Sequence, residues 1–154
     1  MLEGLTQPGM RVAPGARVAP RVLIVEPDAR QRLLLMRSVR ELAVVEACTD
    51  FFVARDRLAE QRPDFLVANL RLRNVSALHL LYLAAFRSRA IVYMEEADRA
   101  LLVEAQRLGA FVESARRVPF SLPSYLRAPL PARDRRDPTR IDESMPGGRR
   151  ASDI

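Results

Sequence analysis

Four polar side chains stand where short apolar runs end. Glu26 follows RVLIV (21–25) with Asp28 two residues on, Asn69 closes FLVAN (65–69), and Glu95 follows AIVYM (90–94). Carboxylates gathered in this way can share a hard cation, which takes several oxygen ligands, or one of them can attack an electrophile. Both chemistries are weakened here. Asn69 is a carboxamide with no anionic oxygen and makes no nucleophile; Pro27, between the two acids, brings no side-chain oxygen. No residue is assigned a catalytic role, and neither metal nor cofactor is expected. Cys48 and His79 are the only cysteine and the only histidine, which excludes a disulfide or a Cys/His zinc site within one chain. Cys48 reads as a small buried apolar residue and His79 as an incidental surface one. All 25 basic residues are arginine, so no mechanism that needs a lysine amine is open to this chain.

The elements that present these positions alternate. RVLIV is a continuous apolar run suited to a strand buried on both faces. Further strands are expected at 43–47, 65–70, 90–94 and about 110–114. Between them the spacing predicts helices over 30–42, with Leu33, Leu34, Met36, Val39 and Leu42 inward, then over 50–61, 76–86 and 97–109, with a short last helix at 121–128. Asp28 and Asp50 suit N-caps, Gly109 closes the fourth helix, and Pro123 fits a first helical turn. Five βα units predict one α/β domain, a doubly wound, flavodoxin-like (βα)5 parallel sheet, whose ligands sit at the carboxyl ends of the strands. Glu26, Asn69 and Glu95 all fall at such ends.

Proline and glycine bound the domain. Seven of eleven Pro and five of six Gly lie outside residues 21–127, so 1–20 is expected to be a flexible N-terminal segment and 128–154 a disordered Arg/Pro-rich tail. The net charge of +6 is spread along the chain; residues 128–154 carry six arginines against five acids. No basic stripe forms, and no nucleic-acid partner is expected. Without an apolar run of about 18 residues, no membrane association is expected and the cytoplasm is the expected location. Ser152 follows two arginines in RRAS, a pattern that basophilic kinases favour, which makes it a candidate tail phosphosite.

Over residues 21–127 the chain resembles the receiver domains of bacterial two-component response regulators. RVLIVEPDARQRLLL resembles their opening strand, acidic cluster and first helix; RPDFLVANLRLRNVSALHLL resembles the third strand, phosphoacceptor, loop and third helix; EAQRLGAFV resembles the approach to the fifth strand. The resemblance implies a phosphoacceptor Asp, which here is Asn69, and an acidic pair, which here is Glu26 and Pro27 with Asp28 following. It implies a Thr or Ser where Glu95 stands and a Lys where the chain has Val118, or Arg116 or Arg117 if the loop is longer. A carboxylate at 95 repels a phosphoryl group. The expectation is a degenerate pseudo-receiver whose Asn69 hydrogen-bonds neighbouring loops, with Glu95 as a candidate acceptor for its amide.

Such a chain is expected to act by binding signalling proteins, with a homodimer possible, as a phosphorylation-independent adaptor or regulator. The third helix is apolar nearly all round, which suggests a partner surface at Leu80, Leu83 and Phe86, or at Leu81 and Tyr82. A second expectation is a receiver-like domain switched by a small ligand or ion at the strand-end pocket. A flavodoxin-like enzyme has little support, since EPDARQ after the first strand contains no glycine to cradle a phosphate.

Overall fold

The computed structural model describes residues 18–140 except Asn74, Phe86 and Thr139. Five strands, β1 (Arg21–Val25), β2 (Val44–Cys48), β3 (Phe65–Asn69), β4 (Arg89–Met94) and β5 (Phe111–Ser114), form one parallel sheet in the order β2-β1-β3-β4-β5. Five helices alternate with them: α1 (Ala29–Val39), α2 (Phe51–Gln61), α3 (Leu78–Ala84), α4 (Arg99–Arg107) and α5 (Val118–Arg127). This is the flavodoxin-like α/β fold, and the described residues form a single domain.

Strand residues alternate between two apolar layers. Leu23, Val25, Leu66 and Ala68 face α2, α3 and α4; Val22, Ile24, Val67 and Ile91 face α1 and α5. Burial on both sides is why these strands read as unbroken apolar runs. Three helices begin at an aspartate that accepts an N–H three residues on: Asp28 from Gln31, Asp50 from Val53 and Asp98 from Leu101. Gly109 adopts φ 90°, a left-handed conformation that lets the chain leave α4 and enter β5.

The elements depart from expectation in three places. α1 buries Leu35 and Val39, one turn apart, and leaves Leu33 and Leu34 half exposed. α5 begins at Val118, so that Val118, Leu122 and Tyr125 line one buried face; Pro119 takes the first turn and Pro123 lies inside the helix. α3 is shorter than 76–86, and its Leu80 and Leu81 are fully buried.

The chain also stays packed past Arg127, where a disordered tail was expected. Asp134 accepts the N–H of Val112 at 3.0 Å, and Arg136 donates to the carbonyl of Val112 at 2.7 Å. Two side chains thereby pair the N–H and the carbonyl that Val112 turns to the outer edge of β5. Arg136 further bonds the Glu113 carboxylate at 3.0 Å, Asp134 at 2.9 Å and the Tyr125 hydroxyl at 2.8 Å, while its carbonyl accepts from Gln106 of α4. The segment from Leu130 to Arg136 is a strap across α4, β5 and α5. It was missed because its apolar content is low; ionic and backbone contacts hold it. Residues 1–17 and 141–154 lie outside the described residues, Ser152 among them.

Candidate functional site

The strand order reverses beside β1, because β2 lies on one side of it and β3 on the other. The loops that leave β1 and β3 diverge there and open a crevice at the carboxyl ends of the strands. Glu26 and Asn69 face each other across it.

Glu26 follows β1 directly, and its N–H continues the ladder to the carbonyl of Cys48 at 3.0 Å. Its side chain turns inward, 1% exposed. Oε1 accepts the backbone N–H of Asp28 at 3.1 Å and, at a longer 3.5 Å, the amide of Asn69. Oε2 accepts the hydroxyl of Tyr93 on β4 at 2.5 Å. Burial, and then the Glu26 carboxylate beside it, push the Tyr93 phenol far above its ordinary range, so it stays protonated and donates. Arg32 of α1 fixes the loop from outside, donating to the carbonyls of Glu26 at 2.9 Å and Pro27 at 3.3 Å.

Asn69 is committed at both ends of its amide. Nδ2 faces Glu26, and Oδ1 accepts the N–H of Arg71 at 3.0 Å, which shapes the turn after β3. The expected pairing of Asn69 with Glu95 is not made; Glu95 is exposed at the mouth. That mouth is a cavity of about 310 Å³ whose lining includes Pro27, Asp28, Arg71, Arg73, Glu95 and Glu96. Arg71 reaches Asp98 at 3.5 Å across its rim.

The structure thus brings Glu26, Pro27, Asp28, Asn69 and Glu95 to one pocket. Val118 is not part of it. The carboxyl end of β5 is Ser114, in register with Met94, and Val118 is buried against α1 as α5 begins. On α3, Leu80 belongs to the core; Leu83 and Tyr82 are exposed, and Phe86 lies outside the described residues. Tyr93 is the residue that sequence reasoning overlooked. A phenol one position before the end of a buried strand needs a partner for its hydroxyl, and that need was the available signal.

The divalent cation that the resemblance implies does not fit these residues. Among the described residues no three His, Cys, Asp or Glu side chains gather as a ligand set. Both oxygens of Glu26 already accept donors, Pro27 has none to give, and Asn69 turns its oxygen to a backbone N–H. Cys48 is half-buried beneath the neighbouring loop, where burial, followed by Asp50, raises its thiol to about 11 and keeps it protonated. No helix among the described residues is long and apolar enough to cross a membrane.

No protein-family model and no curated protein sequence matches the chain. Solved structures do match, receiver domains among them. The response regulator domain of Thermotoga maritima CheB superposes with a TM-score of 0.61 at 22% identity, over 71% of this chain and 95% of that one. The signal receiver domain of a putative Luxo repressor protein from Vibrio parahaemolyticus gives 0.61 at 19%, over 71% and 92%. The Vibrio cholerae chemotaxis protein CheY4 gives 0.63 at 15%, over 71% and 98%. At these identities the likeness establishes the shared fold.

Proposed function

We propose that this chain is a phosphorylation-independent pseudo-receiver that works by binding signalling proteins in a two-component type pathway. One observation carries the reading. The pocket where a receiver would accept a phosphoryl group is satisfied from within, Glu26 by Tyr93, Asp28 and Asn69, and among the described residues no set of cation ligands gathers there. A carboxamide at 69 forms no acyl phosphate, and the chain has no lysine to neutralise one. What remains is a fixed surface. The large apolar side chains open to a partner include Phe120 on α5, and Phe52 and Val53 on α2 with Tyr82 and Leu83 on the adjoining α3. Acetyl phosphate offered to the full chain and to Asn69→Asp, followed by intact mass, tests the first half of this reading. Neither protein should gain a phosphoryl group, and a gain by Asn69→Asp would show that the rest of the pocket still works.

A second reading is favoured by the cavity of about 310 Å³ at the strand ends, whose rim carries Arg71 and Arg73 opposite Glu95 and Glu96. There a small ligand or ion would switch the domain in place of phosphorylation. Partner binding by the unmodified chain that a metabolite extract alters, and that the extract no longer alters in Arg73→Ala, would favour it.

A further inference from the structure

At the opposite, amino end of the sheet lies a larger cleft of about 660 Å³, floored by Leu81, Ala84, Ala90 and Leu108. Its charged lining is one-sided. Arg87 comes from the turn before β4, Arg89 from its start, Arg107 from the end of α4 and Arg133 from the strap, while Asp64 is the single carboxylate among the described lining residues. Asp64 already accepts the backbone N–H of Arg21 at 2.8 Å. Arg89 donates to the carbonyl of Pro131 at 2.9 Å, and Arg107 stands 3.8 Å from Glu104. Arg87 and Arg133 have no ion-pair or side-chain hydrogen-bond partner among the described residues. Four guanidinium groups set against Asp64 and Glu104 leave the cleft an excess of positive charge that favours an entering anion.

The strap forms the outer wall. Ala132 and Arg133 line the cleft, and Asp134, the next residue, closes on Val112 of β5. Seating the strap therefore brings the fourth guanidinium to the other three. An anion bound between them would reward the seated strap and, by linkage, would bind the seated form more tightly.

We propose that this cleft is a binding site for a small polyanion of the phosphate-bearing kind, and that its ligand latches the strap onto the β5 edge. The cleft volume falls in the range of roughly 300–1,000 Å³ usual for small-molecule sites, and arginine forks match phosphate oxygens in pairs. The site is remote from Asn69, so it stands whether or not the carboxyl-end pocket is silent.

Pyrophosphate is the probe. Full-length protein is titrated by calorimetry at constant ionic strength against a matched sodium chloride blank, and hydrogen exchange at the Val112 amide is followed by NMR. Saturable binding to one site is expected. Arg133→Ala and Arg87→Ala, both exposed positions, should each weaken it about tenfold, as loss of one charge-assisted contact does. At saturation, exchange at Val112 should slow about tenfold or more, while the central-strand amide of Val67 is unchanged. Heat no greater than the salt blank, or affinity unaltered in Arg133→Ala, overturns the site. Binding that leaves Val112 exchange unchanged overturns the latch.

Discussion

Two buried glutamates each take a tyrosine hydroxyl, and their remaining partners differ in kind. Glu26, 1% exposed, relies on Tyr93, a backbone N–H and the Asn69 amide; among the described residues no guanidinium bonds its carboxylate. Glu113, 2% exposed, has Tyr125 and the guanidinium of Arg136, and one of its oxygens is left without a partner. The first arrangement is short-range, built from loops at the strand ends, and it fills the crevice at the carboxyl end of the sheet. The second is long-range and ionic, and it fastens a strap to an edge strand. Neutral donors surround Glu26, whereas the guanidinium of Arg136, shared between Glu113 and Asp134, ties a polar segment to the surface of the domain.

Breaking the ionic arrangement should cost most. Arg136→Ala leaves Glu113 and Asp134 buried without their cation, for which about 3–5 kcal/mol is the usual loss, read as a fall in the urea midpoint. Tyr93→Phe removes one donor from Glu26 and should cost about 1–3 kcal/mol in the same assay. Equal losses for the two variants would erase the distinction.

The pair at the strap also sets a pH dependence. Burial, which outweighs the bonds from Tyr125 and Arg136, raises Glu113 above its ordinary 4.5. Against the upward pull of burial, the bonds from Arg136 and from the N–H of Val112 hold Asp134 below its ordinary 3.8. The contribution of Glu113 is therefore complete below 4.5 and is lost as pH rises through its raised value, whereas that of Asp134 is complete above 3.8 and is lost as pH falls through its lowered value. Acidification from neutral should first stabilise the protein slightly and then destabilise it. Urea midpoints for Glu113→Gln should lose the first slope and keep the second. At the smallest end, Glu95→Gln at the exposed mouth should move stability by less than about 0.5 kcal/mol, in contrast to Tyr93→Phe a few ångströms deeper.

The same contrast governs what could be read from the sequence. RVLIV, FLVAN and AIVYM announce strands because burial on both faces demands unbroken apolar runs, and the residues that end them must meet at the switch point of a doubly wound sheet. Glu26, Asp28, Asn69 and Glu95 were legible for that reason. The partner of Glu26 was not, since the reach of a Tyr93 hydroxyl between strands depends on register. Val118 was misplaced because the start of α5 is set by the Val118, Leu122 and Tyr125 stripe and not by Pro123. The strap was illegible for a deeper reason. PARDRRDP carries the composition of a solvated tail, and only the charge of Glu113 in the middle of a buried strand hinted that a cation must come from elsewhere.

The most direct test of the proposal that the pocket is silent is a two-dimensional NMR titration of the full chain with Mg²⁺ and then with beryllofluoride, a mimic of the phosphoryl group. The account predicts no saturable shifts at Glu26, Asn69 or Tyr93. Saturable shifts at those residues that spread into α4 would contradict it and show a pocket that still senses an occupant.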